Sequence, residues 1–173
     1  SDPLMACKVS QGVTTVVTGN CGISIAPLSP RETPPSPADL IGDRPEHYFD
    51  SFGAYLDALD ADPPAVNVVA QVGHSILRMG AMDSLDRAAT EAEIGVMRRA
   101  LEDSLAAGAV GMSTGLFYRP ANDAPTEEVI ALARTLAPAG AMHSTHMRDE
   151  TAAILDSLDE TFEIGRAAGV PVV

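Results

Sequence analysis

Short apolar runs alternate with amphipathic helical patterns along this chain, and that alternation narrows the available folds more than any other feature. Val13 to Gly19 (VTTVVTG), Val66 to Val72 (VNVVAQV), Ala109 to Ser113 (AVGMS), Ala141 to His146 (AMHSTH) and the terminal VPVV each read as a strand, apolar or β-branched and bounded by Gly, Pro or Asn. The segments between them have helical spacing. Thr90 and Glu93 form a capping-box pattern ahead of Ile94, Met97, Leu101 and Leu105 on one face, and Gly108 ends the run. A second helix is expected from Pro125 or Thr126 to Ala139, a third from near Glu150 to Gly169 through Ile154, Leu155, Leu158 and Phe162, and a shorter one over Asp50 to Asp60. Strand and helix in strict alternation predict a parallel sheet with helical crossovers, an α/β fold. About five strands fall short of the eight of a closed (β/α) barrel of about 250 residues. A partial barrel, cut from a longer chain within a helix at one end and a strand at the other, is the expectation.

One segment breaks the rhythm. Residues 27–47 carry six prolines, at 27, 30, 34, 35, 37 and 45, and cannot form a helix or a central strand. The segment follows a strand end, where α/β enzymes build their sites, so it reads either as a site-forming loop or as a disordered insertion. The balance of 24 acidic against 11 basic residues, a net charge of −13, argues against a nucleic-acid partner. No apolar run approaches the roughly 20 residues that span a bilayer, and SDPLMACKVSQ has no signal-peptide core, so no membrane partner and a cytoplasmic location are expected. Cys7 and Cys21 make neither a disulfide framework nor a C-x-x-C motif.

Two residues then draw attention. Cys21 directly follows the first strand and His146 ends the fourth, so a parallel sheet delivers both to its carboxyl edge, where catalytic groups collect. Sulfur and nitrogen donors there suit zinc; a lone cysteine at a strand end is also compatible with a small buried apolar residue.

The stretches GVTTVVTGNCGISIAPL, VGHSILR, GAVGMSTGLFYRPAND and STHMRDE together resemble the N-acyl-D-amino-acid deacylases, or D-aminoacylases, of the amidohydrolase superfamily, over nearly the whole chain. The resemblance implies a (β/α) barrel holding zinc at its strand ends and hydrolysing the N-acyl amide of N-acyl-D-amino acids. It makes Cys21 and His146 metal ligands. It also implies an H-x-H pair, a further histidine and a general-base aspartate that fall outside these 173 residues, so the segment alone is expected to be inactive and to hold zinc weakly. A bridging carbamate lysine has no counterpart, because Lys8 is the only lysine and lies outside every strand.

Other residues have competing readings. Arg148, two beyond His146, could clasp a substrate carboxylate or pair with a neighbouring acid. Tyr118, in the loop after AVGMS, and His74, after VNVVAQV, are candidates for the substrate pocket. His143 lies at an odd offset from His146 and should be a hydrogen-bonded, helix-facing residue, while His47 should be solvated. Gly111 to Gly115 fits the G-x-S-x-G nucleophile elbow, making a serine hydrolase built on Ser113 one rival, although LFYRPANDAP intervenes before the next helix. A non-catalytic α/β binding domain is the other. An open sheet with unpaired edges is further expected to self-associate.

Overall fold

The computed structural model describes residues 3–30 and 32–173. Its elements follow the expected alternation: α1 (Ala6–Val9), β1 (Thr15–Thr18), α2 (Phe52–Ala61), β2 (Asn67–Ala70), β3 (Val72–Gly73), α3 (His74–Ala81), α4 (Glu91–Ala107), β4 (Gly111–Gly115), α5 (Thr126–Ala133), β5 (Met142–His146) and α6 (Ile154–Ala168). All strand pairing is parallel. β1 pairs with β2 from Thr15↔Asn67 to Thr18↔Ala70, and β3, β4 and β5 form a second sheet in that order. Val172 bridges to His143, so the last residues run along the free side of β5.

The expected strand Val66 to Val72 is interrupted at Gln71, which separates the two sheets. The Gln71 side chain spans the break: its amide donates to Asn20 Oδ1 at 3.0 Å and its carbonyl accepts from Ser144 Oγ at 2.8 Å, tying the two sheets together. α3 was not foreseen. It starts from Gly73 with no side-chain cap, so the usual helix-start signal is missing from the sequence. α6 begins at Ile154 rather than near Glu150 because the Asp149 carboxylate accepts from the Thr151 and Ala153 N–H groups, holding a turn there. α5 stops at Ala133, and Pro138 stands in a separate 3-10 turn, Ala137–Ala139. The α4 capping box is formed as the sequence suggested, with Thr90 Oγ1 accepting from Glu93 N–H and the Glu93 carboxylate accepting from Thr90 N–H.

Burial follows the periodicity for α4 and α5. Met97 and Leu101 on α4, Val129 and Leu132 on α5, and Val72 and Met112 on the strands are all inaccessible to solvent. α6 behaves differently: Leu155 is 73% exposed and Phe162 53%, while Ser157, Ile164 and Ala168 face inward. The proline-rich segment packs instead of straying from the fold. Leu28, Ala38 and Tyr48 form a small apolar cluster with Ile76, and Tyr48 Oη donates to the Ala38 carbonyl at 2.7 Å.

His143 is buried between strand and helix. Thr114 Oγ1 donates to Thr145 Oγ1, which leaves it to accept from His143 Nε2–H at 3.0 Å. Burial, followed by the nearby His74, pushes the His143 pKa down to about 4 from its ordinary 6.5. Below pH 6.5 the unfolded chain takes up a proton that the folded chain refuses, so this residue's contribution is complete above that pH and is lost on descent to about 4. The difference amounts to about 3 kcal/mol. Denaturation midpoints of the full-length protein between pH 7 and 4 should therefore fall with acid, and His143→Gln should flatten the dependence; an unchanged slope in that variant would remove His143 as its source.

Candidate metal centre

After β1 the chain reverses through Gly19, Asn20, Cys21 and Gly22. Gly19, Cys21 and Gly22 have φ values of 79°, 54° and 77°. Glycine takes this region freely, whereas a cysteine there is conformationally disfavoured and must be held. The turn is held on all sides. Asn20 Nδ2 donates to the Val17 carbonyl at 2.9 Å, and Gly22 O accepts from Ser75 N–H at 3.0 Å. Gly22 N–H donates to Ser113 Oγ at 3.0 Å, and the same hydroxyl donates to the Gly19 carbonyl. Gly115 backs directly onto the turn, since a Cβ at that position would lie 2.3 Å from the Cys21 carbonyl oxygen.

Cys21 is exposed at this rim, which removes the reading of it as a buried apolar residue. Its Sγ stands 4.0 Å from Nδ1 of His146, the last residue of β5. The other ring nitrogen, Nε2, lies 3.3 Å from Glu150 Oε1. A carboxylate at Nε2 fixes the tautomer that leaves the Nδ1 lone pair free, the arrangement found behind metal-ligating histidines. Phe117 stacks on the imidazole at 5.7 Å between ring centroids, and Tyr118 meets it edge-on at 4.8 Å. Asn20, Cys21, Ser144, His146 and Glu150 line an open cavity of about 440 Å³.

The donor pair passes a simple test of fit. Bonds of about 2.3 Å to sulfur and 2.0 Å to nitrogen in a tetrahedral shell put the two donors roughly 3.5 Å apart. The observed 4.0 Å closes to that with small side-chain rotations. Among the described residues no cluster of three or more His, Cys, Asp or Glu side chains is placed to hold a metal, so the chain offers two donors of such a shell.

Two sequence expectations need correction. Arg148 is not free to clasp a substrate. Its guanidinium makes a two-point contact with Glu160 at 2.7 and 2.9 Å and donates to the Asn122 and Ala124 carbonyls, tying α6 to the loop before α5. His74 does not line a pocket. It is fully buried, with Nε2 3.0 Å from a Glu128 carboxylate that also binds Arg78. The Ser113 rival, already weakened by the intervening LFYRPANDAP, finds no support: the serine has no solvent access and both of its hydrogen bonds are spent on the Cys21 turn. Tyr118 does reach the rim. His47 lies on the surface beside Asp43 and Arg44. Phe117 and Glu150 were overlooked, although Glu150 stands one helical turn's spacing from His146 and Phe117 adjoins Tyr118.

No family model matches the chain. A D-aminoacylase of Alcaligenes xylosoxydans xylosoxydans is 54% identical over 169 residues, covering 98% of this chain and 35% of that protein. An N-acyl-D-aspartate deacylase of the same organism is 51% identical over 172 residues, covering 99% of this chain and 34% of that protein. Among solved structures, a D-aminoacylase described as defining a novel subset of amidohydrolases superposes with a TM-score of 0.95 at 52% identity, over 98% of this chain and 36% of its own. An N-acyl-D-glutamate deacylase from Bordetella bronchiseptica, complexed with zinc and a phosphonate mimic of the tetrahedral intermediate, superposes with a TM-score of 0.93 at 41% identity, over 98% of this chain and 35% of that one. Matched at this level, the chain is similar to a part of these amidohydrolases in both sequence and fold. Within that class it belongs to the family of D-aminoacylases and N-acyl-D-amino-acid deacylases. It spans about a third of the length of those relatives.

Proposed function

We propose that this chain forms part of a (β/α) barrel in a zinc-dependent enzyme that hydrolyses the N-acyl amide of N-acyl-D-amino acids to a carboxylate and a D-amino acid. The observation that carries the proposal is the approach of Cys21 Sγ to His146 Nδ1, 4.0 Å apart at the end of two parallel strands. The zinc in one relative and the activities for which the others are named give the reaction its class. Zinc in such a site supplies Lewis acidity toward an amide carbonyl and brings the pKa of water down toward about 7.

The chain's own residues do the rest of the local work. Cys21 offers a sulfur donor that as thiolate adds negative charge to the shell. Glu150 orients the His146 ring and sets which nitrogen faces Cys21. Phe117 and Tyr118 cover one face and the edge of that ring, shielding it from water, and Tyr118 is placed to contact a substrate. The general base and the remaining donors belong to the longer enzyme in this reading, so the 173-residue segment by itself lacks turnover. β1 pairs only with β2, and exposed Val17 on β1 together with exposed Val173 beside β5 would drive the isolated segment to self-associate. No helix among the described residues is long and apolar enough to cross a membrane.

The test measures amine release from matched N-acyl-D- and N-acyl-L-amino acids by the full-length protein. Turnover of the D-series only, abolished by chelation and restored by zinc, is expected. Chelator-insensitive turnover, or a preference for the L-series, would overturn the assignment.

A further inference from the structure

Ser113 lies wholly buried in β4 and has no part in the chemistry above, yet its hydroxyl is committed to the one turn that presents Cys21. It accepts from Gly22 N–H and donates to the Gly19 carbonyl, so its two bonds bracket the cysteine from either side. The turn requires such an external hold because Cys21 occupies the left-handed region at φ 54°. Only a short side chain that both donates and accepts can serve both backbone groups from one position. Alanine would leave a buried N–H and a half-buried carbonyl without this partner.

The strand that carries Ser113 also fixes the other donor. β4 pairs with β5 in a register that sets Ser113 against Ser144 and Gly115 against His146, and Leu116 N–H donates to the His146 carbonyl at 3.0 Å. β1, which leads into the cysteine turn, pairs with β2 and belongs to the other sheet. The thiol and the imidazole therefore come from separate sheets, and β4 is gripped by both: by its Ser113 side chain on one side and its backbone ladder on the other. We propose that Ser113 is a positioning residue that sets the separation of Cys21 and His146 from within β4. The inference rests on reading that pair as metal ligands.

The experiment uses the full-length protein titrated with cobalt(II), whose thiolate coordination gives a near-ultraviolet charge-transfer band. Ser113→Ala removes both bonds; Ser113→Cys keeps much of the volume with a weak donor and acceptor; Cys21→Ala serves as the reference. Ser113→Ala should lose about 10- to 100-fold in cobalt affinity, the range seen for residues supporting a metal ligand, and weaken the band, with Ser113→Cys intermediate and the far-ultraviolet dichroism of both retained. Parental affinity and an unchanged band in the folded Ser113 variants, with the band lost in Cys21→Ala, would overturn the positioning role alone. A band that survives in Cys21→Ala would overturn the ligand reading and the inference with it. Failure of both Ser113 variants to fold would also overturn it, by making the residue a general support of the core.

Discussion

Cys21→Ala in the full-length protein is expected to reduce deacylase turnover by more than about 100-fold and to lower metal stoichiometry, exceeding what is typical for loss of a merely supporting residue. Alanine is the informative substitution because it keeps a Cβ at the left-handed position and so leaves the backbone problem of the turn unchanged. What disappears is the sulfur that faces His146 Nδ1. Cys7→Ala supplies the control: that thiol is exposed near the start of the chain, outside the strand rim, and its loss should leave turnover intact. Steady-state kinetics with metal analysis on both variants reads the difference. Full turnover in Cys21→Ala would remove the thiol from the metal site.

Glu128→Ala is expected to be the most destabilising single change in the described core. The Glu128 carboxylate, buried on α5, meets Arg78 and His74 from α3 and accepts from Ala89 N–H ahead of α4. Arg78 and Glu128 side chains have no solvent exposure, and removing the acid strands a guanidinium in the interior. Breaking such a pair costs about 3 to 5 kcal/mol, whereas replacing both partners with apolar residues of similar volume is far milder. Glu128→Leu combined with Arg78→Met should therefore recover most of what Glu128→Ala loses, as read by denaturant midpoints. A loss below about 1 kcal/mol in the single variant would put the pair in the class of weak surface contacts. Acid tests the same group. Burial alone would raise the Glu128 carboxyl, but the bonds from His74, Arg78 and Ala89 outweigh it and hold the group at about 2. A depressed carboxylate stabilises the fold above the ordinary carboxylate range and loses that effect as pH falls toward 2.

Much of this architecture could be read before any coordinates, because the signals were local. Thr90, Glu93 and Gly108 mark the ends of α4 by hydrogen-bonding chemistry that needs no tertiary partner. Cys21 and His146 could be placed at one rim because parallel strands all point their carboxyl ends the same way. The errors arose where partners lie far off in sequence. Nothing near Arg148 announces that Glu160, Asn122 and Ala124 will share its guanidinium. Nothing beside His74 announces Glu128, 54 residues further on. The motif around Ser113 was judged rightly from a local signal, the LFYRPANDAP that follows it, but the purpose of its flanking Gly115, which lets the Cys21 carbonyl approach, was not legible.

The backbone at Cys21 has a consequence for how such a chain can change over generations. A dihedral of 54° is one that glycine accepts without penalty, so selection for folding alone would drift this position toward glycine. The resulting protein would be sturdier and chemically mute. A sulfur at this dihedral sets ease of assembly against the ligand chemistry proposed for it.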